Sequence, residues 1–241
     1  MKKIIALVLV VAASATLLVS CKGGKNPANT TTHYTGTTIN TVPPAEEEIY
    51  TIKPGAVTFE KDESSSIENA IKLVSFKTVN HTMIIGDKYM DEFGNVHTIT
   101  CIGVGPGSRV PAKNDTLFTV LEVLGGETKR IASSSFQGSR YLGNVKIGEG
   151  VETIGEYAFY SCTKLKLVAL PETLKEIGPM AFCDTGIEEI VVPAGVTKIG
   201  KLAFANCPSL KKVTLPASFN DEALLREIFV NYDHIKITFA E

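Results

Sequence analysis

A motif of 22 or 23 residues repeats through the second half of this chain, and it constrains the fold more than any other feature. Three apolar series recur in register: Ile131, Ile154, Ile177 and Ile199; Phe136, Phe159, Phe182 and Phe204; Leu142, Leu165, Ile187 and Leu210. The step shortens once from 23 to 22, between Phe182 and Ile187. A fixed period of this length is typical of a solenoid, in which each coil buries its apolar side against its neighbours.

Each copy also predicts one β-strand. The pattern Leu-x-x-Val-x-Leu ends in the alternation of a strand, and a proline follows it at Pro171, Pro193 and Pro216. Proline lacks the amide hydrogen that would extend a parallel ladder. A glycine follows the isoleucine at Gly155, Gly178 and Gly200, where we expect a tight turn or a close approach between coils. A coil this short has no room for a long helix, so the opposite side should consist of irregular or 3-10 turns.

Three segments carry a specific resemblance to a known family: IGEYAFYSCTKLKLVALPETLKE, IGPMAFCDTGIEEIVVPAGVTK and IGKLAFANCPSLKKVTLPASF. They resemble the BspA-like leucine-rich repeats, a 23-residue class found on bacterial surface proteins. A fourth copy is degraded, since Ala132, Ser135 and Gly148 replace its glycine, alanine and proline. The resemblance implies a right-handed leucine-rich-repeat solenoid over residues 126–219. It also implies a protein-binding role, such as adhesion to host matrix proteins or to other cells.

Residues 1–21 predict a bacterial lipoprotein signal peptide. Lys2 and Lys3 precede an apolar segment that is short for a transmembrane helix, and Leu-Val-Ser-Cys at 18–21 matches a lipobox. The lipobox implies that Cys21 is lipidated and anchors the chain, because more than one acyl chain holds a protein stably on a membrane. A plain signal peptide with a chance cysteine is the alternative.

Residues 22–48 predict a disordered tether, since they are rich in Thr, Asn, Gly and Pro and hold few large apolar side chains. We therefore expect a lipid-anchored protein of the bacterial outer membrane. The sequence leaves open whether the folded part lies on the cell surface or on the periplasmic face.

The segments on either side of the repeats predict caps. Residues 49–125 predict a β-rich N-terminal cap with strands at 83–85, 97–102 and 117–123, and with a short helix that Ser66 would start. Ile102 and Gly103 resemble the repeated Ile-Gly pair, which predicts one divergent repeat with a long loop at 105–115. Residues 220–241 predict a C-terminal cap of helix followed by strand, with Ser218 or Asn220 starting the helix.

One side of the predicted strands is a candidate binding surface. Residues between the buried positions of a strand must point outward. The protein-binding candidates are therefore Asn144, Lys146, Leu167, Ala169, Glu189, Val191, Lys212 and Thr214. Leu167, Ala169 and Val191 would form an apolar centre with a charged border, as protein-binding surfaces do. Single exposed apolar residues are also common on ordinary surfaces, so both interpretations stay open.

The remaining motifs do not indicate catalysis, a cofactor, a metal site or nucleic-acid binding. A net charge of −2 gives no general attraction to nucleic acid. No cysteine pair has zinc-ligand spacing, and the glycines at 103–107 lack the third glycine of a dinucleotide fingerprint. Cys162 and Cys207 share one repeat position with Ser139 and Thr185, which predicts buried structural thiols that bond a backbone carbonyl; an approach of Cys183 to Cys162 is the alternative.

Two other functions remain as alternatives to recognition at the cell surface. The first is a periplasmic scaffold lipoprotein that binds other envelope proteins without contact with a host. The second is an enzyme whose site lies in residues 49–125, which would require a deep cleft lined by Asp87, His97 or Asp115.

Overall fold

The computed structural model describes residues 6–7, 50–51, 57–68, 70–76, 82–90, 95–103, 118–230 and 232–240. The N-terminal strands are β1 Ala6–Leu7, β2 Tyr50–Thr51, β3 Val57–Lys61, β4 Ala70–Phe76, β5 Thr82–Ile85, β6 Lys88–Met90, β7 Val96–Ile102 and β8 Val120–Val123. The repeat strands are β9 Arg130–Ile131, β10 Asn144–Ile147, β11 Thr153–Ile154, β12 Leu167–Ala169, β13 Glu176–Ile177, β14 Glu189–Val191, β15 Lys198–Ile199 and β16 Lys212–Pro216. A 3-10 turn at Ala217–Phe219, helix α1 at Glu222–Ile228 and strand β17 at Lys236–Ala240 follow.

The repeats wind into a solenoid with two parallel β-ladders. Strands β4, β7, β9, β11, β13 and β15 lie side by side in what we call the isoleucine sheet, where Ile131, Ile154, Ile177 and Ile199 are direct partners. Strands β5, β8, β10 and β12, followed by β14, β16 and β17, form the strand face. The strand face confirms the predicted parallel sheet. The isoleucine sheet is a second one, which the sequence did not predict because two-residue strands show no alternation.

The core consists of columns of identical side chains. The rings of Phe136, Phe159, Phe182 and Phe204 stack with centroids 5.3, 5.3 and 5.5 Å apart, and the planes differ by no more than 6°. All four rings are buried, as are the equivalent aliphatic residues Leu142, Leu165, Ile187 and Leu210. The predicted register of the repeats is therefore confirmed.

The third side of each coil, which we call the turn side, is also bonded from coil to coil. The amides of Phe136, Phe159 and Phe182 donate to the carbonyls of Ala158, Ala181 and Ala203 in the next coil, at 2.8 to 2.9 Å. This alternating bonding requires left-handed backbone at two positions of each coil: Ser134, Tyr157, Met180 and Leu202, and then Gly138, Ser161, Asp184 and Asn206. The turn side is thus irregular in its dihedral angles but regular in its hydrogen bonds.

The repeated glycines allow the coils to approach closely. A Cβ atom on Gly178 would lie 2.6 Å from the amide nitrogen of Glu156, and one on Gly200 would lie 2.3 Å from the nitrogen of Pro179. Neither glycine has a positive φ, so the close approach rather than a tight turn requires the missing side chain.

The N-terminal segment continues the same winding. Ile102 pairs with Ile131 and Leu121 pairs with Val145, so β7 and β8 have the positions of a divergent coil. Strands β4 and β5 add a further parallel pair, and β3 covers the edge of β4 in antiparallel pairing. Strand β1, inside the predicted signal peptide, pairs with β3. The loop predicted at 105–115 lies outside the described residues.

The short helix predicted after Ser66 is wrong. Ser66 lies in a bend, and Ala70–Phe76 is strand β4. Ala70, Ile71 and Leu73 are buried there, and the strand is paired on both edges, with β3 and β7. This pairing satisfies the backbone of a segment whose apolar spacing also suited a helix, so tertiary structure overrides the local preference.

The C-terminal helix and strand close the far end. Asp221, rather than Ser218 or Asn220, caps α1, because its carboxylate accepts the amide of Leu224 at 3.0 Å. The ring of Phe229 stacks on Phe204 at 5.8 Å and so ends the phenylalanine column. Strand β17 then pairs in parallel with β16. Among the described residues, no helix has the length and apolarity needed to cross a bilayer.

Candidate functional site on the strand face

The structure places all eight predicted binding residues on β10, β12, β14 and β16 of the strand face. Seven are exposed and Thr214 is half-buried. Leu167 and Val191 are each 63% exposed, the highest values among the large apolar side chains whose burial is described. Cys21 lies outside the described residues.

The strand face is split between β12 and β14. The first four strands form one sheet that ends at β12, and β14 begins another. Elsewhere one hydrogen bond joins the start of each strand to its predecessor: Gly143 N to Thr119 O, Lys166 N to Gly143 O, and Lys211 N to Glu188 O, at 2.7 to 2.9 Å. Within the described coils, Glu188 N forms no corresponding bond to Lys166 O. The predicted apolar centre is therefore divided by a gap.

The shortened repeat explains this split. The coil of β12 has two residues between Cys162 and Leu165, whereas the coil of β14 has only Gly186 between Thr185 and Ile187. Gly186 also passes close to the previous coil, because a Cβ atom there would lie 2.8 Å from the carbonyl oxygen of Thr163. The missing residue thus changes how the chain enters β14, while Ile177 and Ile199 remain paired on the isoleucine sheet.

A crevice of about 240 Å³ opens along the split. Its floor is formed by Val168, Leu170 and Ile190. Val168 and Leu170 are only half-buried, although the corresponding residues of other strands, such as Val145 and Val213, are buried. The crevice therefore gives solvent access to the edge of the hydrophobic core. We name it the β12–β14 crevice.

The rim of this crevice is acidic. Glu172 and Glu189 line it, and no lysine or arginine does. Glu189 forms an ion pair of 3.5 Å with Lys212, whereas the carboxylate of Glu172 forms no ion pair with any described residue. Nearby, Lys166 bridges the split through a contact of 3.0 Å with Glu188. The hydrogen bond and charge of Lys166 lower the pKa of the Glu188 carboxyl.

Sequence reasoning found the outward-facing residues but missed Val168, Leu170 and Glu172. Val168 and Leu170 occupy positions that are core in every other coil, and Glu172 follows the strand. The one available signal was the step of 22 residues, which marks the coil that departs from the others.

The cysteine prediction is confirmed. The thiols of Cys162 and Cys207 donate to the carbonyl oxygens of Phe136 and Phe182, each at 3.2 Å, and Thr185 Oγ1 donates to Phe182 O at 2.8 Å. All cysteines in the described residues are buried and unbridged, so Cys183 forms no disulfide with Cys162. Burial raises the pKa of the Cys162 thiol to about 12. These groups act as structural hydrogen-bond donors.

Cys101 has a partner that the sequence did not reveal. The Nε group of Arg130 donates to its sulfur at 3.2 Å, from the next coil. Burial raises the pKa of this thiol, and the bond from Arg130 opposes that rise.

The residues proposed for an enzymatic site do not converge on a described cleft. Asp87 serves the backbone: its carboxylate accepts the amide of Glu127 at 3.3 Å, and its carbonyl accepts the amide of Ile99 at 2.7 Å. His97 lies half-buried in β7, and Asp115 lies outside the described residues. No group of three His, Cys, Asp or Glu side chains in the described ranges could share a metal ion.

Comparison with known proteins supports the repeat assignment. Residues 125–240 match the BspA type leucine rich repeat region in six copies, so the match includes β17. No curated protein matches the chain.

Two solved structures share the fold. A leucine-rich repeat protein from Bacteroides ovatus is 24% identical, with a TM-score of 0.55 over 69% of this chain and 43% of that one. The T. pallidum leucine rich repeat protein is 17% identical, with a TM-score of 0.57 over 76% of this chain and 82% of that one. This chain thus spans under half the length of the Bacteroides protein. Residues 125–240 are a BspA-type leucine-rich-repeat region, and the chain is a leucine-rich-repeat solenoid.

Proposed function

We propose that this chain is a membrane-anchored, non-catalytic protein-binding module of the bacterial cell envelope, which holds its partner on the strand face. The observation that carries the proposal is the exposure of Leu167 and Val191 on adjacent strands, with charged residues around them. Exposed apolar side chains inside a polar rim are the usual composition of a recognition surface. Surface recognition, including adhesion, is what membership of this repeat class adds.

The anchor is the second part of the proposal. The lipobox at residues 18–21 would place a lipid on Cys21, and the predicted tether of residues 22–48 would hold the solenoid away from the membrane. Metabolic labelling with a radioactive fatty acid tests this directly. The wild-type chain should carry label and fractionate with membranes, while Cys21→Ser should do neither; an unlabelled wild type would remove the anchor from the proposal.

The binding surface is tested with a matched pair of variants. Leu167→Glu combined with Val191→Glu should abolish capture of partner proteins in cross-linking experiments on intact cells. Val230→Glu is the control, since Val230 is 45% exposed but lies after α1, away from the strand face. If the double variant and the control capture the same proteins as wild type, the strand face is not the binding surface.

The same cells distinguish the two sites of action. Protease treatment of intact cells should remove the solenoid if it faces outward, in agreement with recognition at the cell surface. A protected solenoid that cross-links only to envelope proteins would instead support the periplasmic scaffold.

A further inference from the structure

We propose that the β12–β14 crevice binds an extended peptide segment of a protein partner. The segment would place one aliphatic or aromatic side chain over Val168 and Leu170 and a neighbouring lysine or arginine beside Glu172. This inference rests on the proposed function of the strand face. It goes further by naming the binding point and the chemistry of the occupant.

The size of the crevice argues for a single side chain. Pockets that hold drug-sized ligands measure roughly 300 to 1,000 Å³, and this crevice has about 240 Å³. Its floor is apolar, because Val168, Leu170 and Ile190 form it. A partner that covers Val168 and Leu170 would complete a burial that the equivalent residues Val145 and Ile147 already have. Removal of that apolar surface from water supplies the affinity.

The charge of the rim argues for a basic neighbour. Glu172 lines the crevice without an ion partner among the described residues, and Glu189 shares the rim. Complementary charge at an interface favours the correct partner, and like charge at the same place disfavours the wrong one. A peptide that carries lysine or arginine next to its apolar anchor therefore fits, whereas an acidic peptide does not.

The backbone around the crevice argues for an extended segment. Strand β12 is the last strand of its sheet and β14 is the first strand of the next. The ends of sheets present backbone groups that a further extended chain can bond. The crevice thus combines an apolar anchor point, an acidic rim and two strand edges.

The test uses a phage-displayed library of random short peptides as the probe. The 241-residue chain, purified in mild detergent and immobilised, is panned in parallel with Glu172→Lys and Glu156→Lys. Glu156 is the control, because it is exposed on the turn side and undergoes the same reversal of charge. Peptides enriched on the wild type should combine an apolar residue with a lysine or arginine at an adjacent or nearby position, and Glu156→Lys should enrich the same peptides.

A synthetic copy of an enriched peptide then gives the quantitative result. Its affinity for Glu172→Lys should fall about tenfold or more, because like charges now meet at the rim. Its affinity for Glu156→Lys should stay within about twofold of wild type, because surface charges beyond a Debye length are screened.

A second variant tests the crevice without any change of charge. Insertion of one serine between Gly186 and Ile187 restores the step of 23 residues that precedes the other strands. The split should close, and the peptide should no longer bind, while circular dichroism shows the same sheet content. If the insertion variant does not fold, Glu172→Lys alone decides the question, because the exposed Glu172 side chain forms no described ion pair whose loss could unfold the chain.

The outcomes separate this inference from the proposed function. No enrichment on wild type, acidic enriched peptides, or equal affinity for Glu172→Lys overturns the crevice as the binding point. If Leu167→Glu with Val191→Glu still abolishes partner capture in that case, the strand face survives as the surface and only the crevice is lost. If that double variant also has no effect, both proposals fall.

Discussion

The rings of Phe159 and Phe182 lie parallel in neighbouring coils, with centroids 5.3 Å apart and planes within 5° of each other. Phe182 also stacks on Phe204 at 5.5 Å, so it has an aromatic neighbour on both sides. We expect Phe182→Ala to lower the free energy of unfolding by about 3 to 5 kcal/mol, because it leaves a cavity in the middle of the column. Urea unfolding followed by circular dichroism measures the change.

Lys212→Ala is the control for this prediction. Its ion pair with Glu189 spans 3.5 Å on an exposed surface, and such pairs contribute about 0 to 1 kcal/mol. Equal shifts of the unfolding midpoint in the two variants would contradict the stacked register.

The contact of Gly178 with the preceding coil gives a second prediction. A Cβ atom there would lie 2.6 Å from Glu156 N and 2.7 Å from the carbonyl carbon of Gly155, both rigid backbone atoms. We expect Gly178→Ala to destabilise the chain by about 1 to 3 kcal/mol, because the coils must move apart. In Gly143→Ala the new methyl group would meet its nearest atom at 3.5 Å, so that variant should change the melting temperature little. A melting temperature for Gly178→Ala equal to wild type would show that the coils tolerate the methyl group.

Asp62 makes stability depend on pH near the N-terminal cap. Burial raises the pKa of its carboxyl, but hydrogen bonds from Ser64, Thr100 and Lys72 outweigh burial and lower the pKa to about 2. Thr100 Oγ1 donates to the carboxylate at 2.6 Å, and Lys72 Nζ lies 3.3 Å away.

The direction of the pH effect follows from that lowered pKa. The folded state holds the ionised carboxylate more strongly than the unfolded state, whose pKa is near 3.8. The stabilisation is complete above about pH 4 and is lost as the pH falls towards about 2. Melting curves across this window should therefore show a larger loss for wild type than for Asp62→Asn. Parallel losses in the two chains would exclude Asp62 as the source.

The buried thiols predict low reactivity in the folded chain. Burial raises the pKa of Cys183 to about 11 and that of Cys162 to about 12, so few thiolates exist near neutral pH. In a chain that carries Cys21→Ser, iodoacetamide at about pH 8 should label no cysteine until denaturant is added. Mass spectrometry counts the labels, and rapid labelling of Cys162 in the native chain would contradict the structure.

The columns could be predicted because identical residue types recur at one step. Phe159, Phe182 and Phe204 specify their own register, since a slip would break several apolar series at once. The resemblance of the same segments to a known repeat class then predicted the fold. The family match over residues 125–240 and the stacked rings agree with that prediction.

The features that could not be predicted depend on backbone pairing. A two-residue strand such as Thr153–Ile154 has no alternation to recognise, so the isoleucine sheet was missed. Ala70–Phe76 has apolar spacing that suits a helix or a strand, and only its neighbours β3 and β7 decide between them. The shortened step before Ile187 was visible, but the sequence does not specify whether the chain closes over a missing residue or opens there.

Coils of this chain are joined by the same few main-chain bonds, so whole turns could be added or removed by duplication without new chemistry. A duplicated turn of 23 residues, the commoner step in this chain, would lengthen an unbroken wall. A duplicate of the turn that contains Gly186 would carry its deficit with it and would introduce a second fissure one storey higher. The arithmetic of turn length, more than the choice of any surface side chain, would then set how many openings such a protein displays and how far apart they stand.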